Sequence, residues 1–425
     1  MTPQSIANCS SCSKEYPVYA DEISWCHHCN WNLEGERRFV YKDGPFKNFH
    51  HALGVKLSQQ LFDGLMKKEI TRPRMTLEKV LVIAFATLIH SISLLILVAV
   101  AFLYSNMHWF MASFVALPLV MLVWTTIPKP RKLPSGMVKR EEYPTLYQLV
   151  DDVADAMKTG RPYALVLNNE FNAYYSEYGI GKNKKKVIGL GLPLLCQLSD
   201  EEIIAVISHE TSHGANGDIA RSVYVGRALD TLANLYYAMT PRHLSEGDAG
   251  FSGGIIATWV ANLIGWLFSH IPLNAYKVQL RLLFRQQQEA EYLADTLAAE
   301  VCGTSSMLSV LEKFESHSDF HAAIEKAAYS TEKNVDVIEV AKVLNARLRS
   351  DHEKERIRRV DLLRGLSLDA THPPSAYRRE YISRVSYLPQ VRIKPEQSQL
   401  LRNELNVLRG QISYQLIQDY LDGVS

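Results

Sequence analysis

The alternation of apolar and polar positions breaks down at one place in the chain. From Val80 to Tyr104 no residue is charged, and a second uncharged run extends from Met107 to Ile127. Each run is long enough to cross about 30 Å of hydrocarbon as a helix, and the polar break at Ser105 and Asn106 makes the pair a hairpin. Basic residues flank both outer ends: Lys67, Lys68, Arg72, Arg74 and Lys79 before it, and Lys129, Arg131, Lys132, Lys139 and Arg140 after it. The short loop between the runs has none, so the positive-inside rule places both ends of the hairpin in the cytoplasm. Inside the first run, His90 has no acidic or cysteine partner nearby in sequence and reads as a histidine hydrogen-bonded within the hairpin.

Elsewhere the pattern is that of a folded, mostly helical chain. Residues 50–76 are amphipathic, and Pro128, Pro130 and Pro134 mark a linker. Arg161–Asn169 and Lys186–Gly191 carry strand character, the second after a Lys-rich turn at 182–186. Ser199 and Glu202 form a capping box that opens a helix from about Asp200 to Gly214. A second long helix is expected from Tyr276 to Cys302, closed by Gly303. Beyond it the chain is helical, broken at Gly365 and at Pro373–Pro374. The expected class is α+β, mostly helical, with a small β-sheet. Its divisions are 1–49, an amphipathic linker 50–76, a transmembrane hairpin 77–128, and a domain over 135–425.

Composition narrows the chemistry. The 425 residues hold 46 Lys+Arg against 45 Asp+Glu, a net charge of +1, so no nucleic acid or other polyanionic partner is expected. No cleavable secretory signal is evident at the N-terminus. Four of the six cysteines fall in two pairs, Cys9-x-x-Cys12 and Cys26-x-x-Cys29. This spacing supplies four thiolates to one structural zinc, the zinc-ribbon pattern, and implies a reducing compartment. His27 and His28 lie within the second knuckle, although four thiolates already close the site. Cys196 and Cys302 stand alone and read as buried small hydrophobes. The sequence does not identify what the ribbon binds.

The capped helix carries His209-Glu210-Thr211-Ser212-His213. Histidines at i and i+4 project from one helix face and can reach a single zinc, with Glu210 beside them as a general base toward the attacking water. A catalytic zinc needs a third protein ligand and an open position. Glu291, on the long helix of Glu291-Tyr292-Leu293-Ala294-Asp295, completes a set of two histidines and one glutamate. Asp295, one turn later, can orient a ligand imidazole from behind, while Glu289 reads as a solvated acid.

His209-Glu210-x-x-His213, then Asp218, then Glu291-Tyr292-x-Ala294-Asp295, then Thr371-His372-Pro373-Pro374 with Arg378 resembles the HtpX-type and CAAX-prenyl-protease-type membrane zinc metallopeptidases. Asn172-Ala173 is similar to that family's element before its edge strand, and the likeness spans about Tyr143 to Arg379. The resemblance implies a zincin-type domain hydrolysing peptide bonds at the cytoplasmic face of a membrane. It implies that His372 lies near the metal and stabilises the oxyanion, with Arg378 in support. It also implies that Asn172, Ala173 and the Lys186–Gly191 strand with Gly189 bind substrate by β-addition. The N-terminal ribbon departs from the family layout, as does Tyr175 where small residues are more usual, which suggests a narrower groove.

The expected molecule is a multi-pass membrane zinc endopeptidase with ribbon and protease domain in the cytoplasm. It holds one catalytic and one structural zinc, and its substrate is a membrane or membrane-proximal protein, in quality control. Alternatives are processing of prenylated C-terminal peptides, for which two spans are few to enclose a chamber, and a non-catalytic ribbon scaffold. Between His213 and Glu291 lies another uncharged run, Gly253–Ile271. Both ligands must meet one zinc, so any crossing there must be paired. The only partner, Ile219–Met239, carries Arg221, Arg227 and Asp230. The expectation is that neither crosses and that Gly253–Ile271 packs on the protease domain or lies on the membrane surface.

Overall fold

A computed structural model describes residues 2–20, 22–34, 58–67, 77–126, 132–179, 183–215, 223–240, 255–314, 317–331, 335–345, 349–364 and 372–424. Asp218, Thr371, Lys68, Arg72, Arg74, Pro128, Pro130, Lys182 and Gly365 lie outside the described residues.

The N-terminal unit is a two-stranded antiparallel ribbon of β1 (Ser5–Asn8) and β2 (Glu15–Val18), with Ser5 opposite Val18. The first knuckle lies between these strands and the second follows them. All four cysteine sulfurs come together, with Cys9 Sγ 3.6 Å from Cys29 Sγ and Cys12 Sγ 3.6 Å from Cys26 Sγ. Four sulfurs about 2.3 Å from a tetrahedral zinc stand about 3.8 Å apart, so the thiolates already have the spacing of a closed site. A short helix α1 over 58–65 follows, and its Phe62 stacks on Tyr377 at 4.5 Å.

The two uncharged runs form α2 (Leu77–Asn106) and α3 (Trp109–Thr126), packed on each other across a two-residue break. α2 contains an apolar stretch from Lys79 to Asn106 with mean hydropathy 2.6. Two further helices join this hairpin, α7 (Val223–Met239) and α8 (Ile255–Cys302). Val82, Ala86 and Ile89 of α2 pack against Val225, Ala228 and Leu232 of α7 and Leu283 of α8. A Cβ on Gly265 would stand 2.7 Å from the Met239 carbonyl, so glycine there lets α8 close on the end of α7. His90 Nε2 lies 3.0 Å from the Tyr224 carbonyl, so it joins α2 to α7 instead of bonding within the hairpin as the sequence suggested.

α8 corrects a second expectation. It does not begin near Tyr276 but runs unbroken for 48 residues, about 72 Å, with Pro272 inside it. Gly253–Ile271 is therefore no separate helix laid on the protease domain. Its described part is the first third of the helix that later carries Glu291, and Gly265 within it lies against the end of α7. Pro272 lies inside α8 and does not end it.

The main domain is built on a four-stranded sheet in the order β3-β4-β6-β5. Its strands are β3 (Met137–Val138), β4 (Ala164–Asn168), β5 (Ala173–Tyr178) and β6 (Lys185–Gly191). β6 pairs parallel with β4 and antiparallel with β5, so it is interior on both sides. Around the sheet lie α4 (Pro144–Ala156), α5 (Leu192–Leu195), α6 (Asp200–Ala215) and α9 (Thr304–Phe314). Six further helices complete the domain: α10 (His317–Ala328), α11 (Val337–Asn345), α12 (Asp351–Arg364), α13 (Ser375–Ile382), α14 (Pro395–Asn406) and α15 (Arg409–Val424). One core unites all of these but α12, with Ile203, Ile204 and Ile207 of α6 fully buried among Leu146, Leu165, Leu190 and Ala298. Cys196 and Cys302 are buried in it as expected, and burial raises both thiols.

Candidate metal centre

α6 starts with the capping box read from sequence. Ser199 N–H donates to Glu202 Oε2 at 2.6 Å, and Glu202 N–H donates to Ser199 Oγ at 3.3 Å. Glu202 also accepts from Ser309 Oγ and Lys313 Nζ of α9, each at 2.5 Å, which fixes the entry of α6 to the helix after α8. Burial opposes its ionisation, but Lys313, Ser309 and the Ser199 amide outweigh burial and hold Glu202 below the usual range.

Two turns into α6 the chemistry-bearing face meets α8. His209 Nε2 lies 3.3 Å from His213 Nε2 and 3.3 Å from Glu291 Oε2, and His213 Nε2 lies 3.5 Å from Glu291 Oε1. All three residues are buried. Nitrogen and oxygen ligands about 2.0–2.1 Å from a tetrahedral zinc stand about 3.3–3.4 Å apart, so this donor set fits zinc in type, number and spacing. Two imidazoles and one carboxylate leave a position open, as a catalytic site requires. Glu210 follows His209 on the same helix and is itself buried.

The electrostatics favour a cation. Burial lowers the basicity of His209, yet Asp295 and Glu291 outweigh it and raise the group to about 9. Burial likewise opposes ionisation of Glu291, but His372, His213 and His209 hold its carboxyl well below the usual range. Asp295 accepts from His209 Nδ1 at 2.9 Å, which turns the Nε2 lone pair toward Glu291 and His213. Arg378 in turn grips Asp295 with two bonds, Nε to Oδ2 at 2.7 Å and Nη2 to Oδ1 at 2.6 Å. This carboxylate–guanidinium pair is wholly inside the protein, with Asp295 at 0% exposure and Arg378 at 4%. Burial works against both charges, and each holds its partner ionised.

His372 Nδ1 lies 2.6 Å from Glu291 Oε2, beside the ligand set, and its side chain keeps 33% of its surface open. Asn172 and Ala173 lead into β5, whose Tyr175 packs its ring on Gly214, one residue past His213. Gly189 lies elsewhere. It is inside the sheet on β6 with the Tyr174 ring over it, so neither it nor the Lys186–Gly191 strand can take a substrate strand. Among the described residues β5 pairs on one side only, and it is the edge that passes the metal-ligand helix. Gly191 N–H donates to the Asn172 carbonyl at 2.8 Å, so the ladder's alternation turns backbone groups of Ala173, Tyr175 and Glu177 toward the open edge. The sequence reading missed Tyr292, whose buried ring packs 5.3 Å from Tyr381 and 6.5 Å from Phe62 and backs the ligand helix.

Residues 141–386, more than half of the chain, match the model of peptidase family M48. The chain belongs to that family. It is 28% identical over 180 residues to a "Protease HtpX homolog" of Persephonella marina, covering 41% of this chain and 58% of that protein. It is 27% identical over 248 residues to a "Protease HtpX homolog" of Bacteroides fragilis, covering 56% of this chain and 67% of that protein. A third relative, "Protease HtpX homolog 2" of Methanosarcina mazei, is 23% identical over 192 residues, covering 44% of this chain and 58% of that protein. The chain thus spans 58% of the length of two of these three relatives. No solved structure matches. The matched region contains every member of the candidate metal centre and leaves the ribbon and the α2–α3 hairpin outside it.

Proposed function

We propose that the chain is a membrane-anchored, zinc-dependent endopeptidase that cuts membrane or membrane-proximal proteins from the cytoplasmic side, in protein quality control. The observation that carries this reading is the closure of His209, His213 and Glu291 to tetrahedral ligand spacing, with Asp295 and Arg378 locked behind them. Zinc held by those three residues would supply a Lewis acid and water acidified to a pKa near 7. Glu210, beside His209 on α6, receives the proton that the attacking water gives up and delivers it to the leaving amine. Asp295 keeps His209 in the tautomer that presents Nε2, and Arg378 keeps Asp295 charged. His372, at the open side of Glu291, is placed to donate to the oxygen on which charge develops. An extended substrate adds to the outer edge of β5, the strand nearest the end of the ligand helix.

Support for the anchor comes from what the helices leave uncovered. Leu94, Leu95, Phe102, Phe114 and Trp124 of α2 and α3 are more than 60% exposed, as is Ile271 of α8. Exposed apolar surface of this kind marks a membrane or protein contact, and in this reading the contact is lipid. The reading also extends the anchor beyond the hairpin: α7 and the first half of α8 accompany α2 and α3, with the Arg227 side chain only partly exposed within the bundle.

The metal assignment is tested by elemental analysis of the purified full-length chain. Wild type should carry two zinc ions, and His209→Ala and Glu291→Ala should each carry one and be inactive. Two zinc ions retained in either variant would remove the assignment.

A further inference from the structure

The ribbon is not a free module on a tether. It is bonded to one helix of the peptidase domain, α12. Ser350 caps that helix, its Oγ accepting the Glu353 N–H at 3.0 Å. Glu22 of the ribbon accepts from Ser350 N–H at 2.8 Å and from Ser350 Oγ at 2.6 Å, which sets a carboxylate at the positive end of α12. Further along, the His352 ring stacks on Trp25 at 4.6 Å and its Nε2 lies 3.2 Å from the Trp25 carbonyl. Arg356, held by Glu353, donates to the Leu33 carbonyl at 2.7 Å. Arg359 donates to the His27 carbonyl at 2.7 Å and to Asn30 Oδ1 at 2.8 Å, and its guanidinium lies 5.1 Å from the centre of the fully buried Trp25 ring.

Three of the ribbon residues that α12 grips lie in or directly beside the second knuckle, where order depends on metal. Trp25 immediately precedes Cys26, His27 lies between the two cysteines of the second knuckle, and Asn30 immediately follows Cys29. A four-cysteine site folds its module when zinc binds and releases that order when zinc leaves. At its other end α12 packs on α13. Asp361 accepts the Ala376 N–H at 3.4 Å, two residues before Arg378, whose guanidinium holds Asp295. In sequence, His372 follows the last residue of α12 by eight positions. Bonded groups thus lead from the second knuckle through α12 to α13, which carries Arg378, the support of Asp295 and His209.

We propose that the ribbon's partner is α12 of its own chain, and that zinc at Cys9, Cys12, Cys26 and Cys29 clamps α12 so that the segment carrying His372 and Arg378 is held in register with the metal centre. The four thiolates are then a regulatory metal site for the peptidase, and Trp25, Arg356 and Arg359 are positioning residues that touch no substrate.

Two full-length variants test this. Cys9→Ser with Cys12→Ser removes the ribbon zinc; Arg356→Ala with Arg359→Ala breaks the clamp while leaving both zinc sites intact. Zinc content should be one per chain in the first variant and two in the second. In both, amide hydrogen exchange over 351–364 and 372–382 should rise at least tenfold, and kcat should fall about tenfold with KM nearly unchanged. Exchange at 372–382 equal to wild type in both variants would overturn the clamp, as would full turnover in both. The activity arm rests on the peptidase reading, but the exchange arm does not. An inactive wild type with the predicted exchange increase would count against that reading and for the clamp.

Discussion

The ligand residues were legible because their chemistry is local. His209 and His213 share a helix face at i and i+4, and a capping box fixed where that helix starts. Glu291 was found by asking for a third ligand, and the 3.3–3.5 Å spacings are compatible with the choice. The bond between Arg378 and Asp295 spans 83 positions of chain, a separation at which no periodicity operates; only the family likeness pointed to Arg378. His372, which the likeness put near the metal, lies 2.6 Å from Glu291 Oε2. If its role is to stabilise the oxyanion, His372→Ala should lower kcat by about 10²-fold, with KM changing far less. Steady-state kinetics on a fluorogenic peptide decide this, and an unchanged kcat would return His372 to a structural role at the turn before Pro373.

Among elements, strands and caps were readable, whereas pairing and helix length were not. β4 falls within Arg161–Asn169 and β6 begins one residue before Lys186–Gly191, but which strand is the edge depends on long-range order that alternation alone does not encode. β6 became interior and β5 the edge. α8 runs through its proline, in contact with α7 and α2. The junction of α6 with α9 carries its own prediction. Glu202 is depressed in the folded state, so the stability it contributes is present above its unfolded pKa and is lost as pH falls through the folded value. Glu202→Gln should cost about 1–3 kcal/mol at neutral pH and flatten the acid-side decline of Tm. Thermal melts in detergent between pH 3 and 7 measure this; parallel wild-type and variant profiles would contradict it.

At the scale of the whole molecule, the hairpin was visible as two uncharged runs, while the helices that join it were hidden by Arg227, Asp230 and Pro272. Charges on α7 argued against a span in sequence, but an intermediate burial inside a four-helix bundle changes their cost. The bundle predicts that α7 leaves the cytoplasmic face and α8 returns to it. A single reporter cysteine at Ser252, in a background whose native cysteines are blocked, should label from the far side of sealed vesicles. Labelling from the cytoplasmic side alone would restore the two-helix anchor that the sequence suggested. The docking of the ribbon on α12 had no sequence signal, because carbonyl acceptors such as those of Leu33 and His27 are present in every residue.

The central claim is that Glu210 serves as base beside a metal held by His209, His213 and Glu291. Its most direct measurement pairs zinc content with cleavage of an unfolded protein substrate by purified Glu210→Gln. The expected result is zinc equal to wild type and cleavage reduced by about 10³-fold or more. Cleavage near the wild-type rate with full zinc would contradict it.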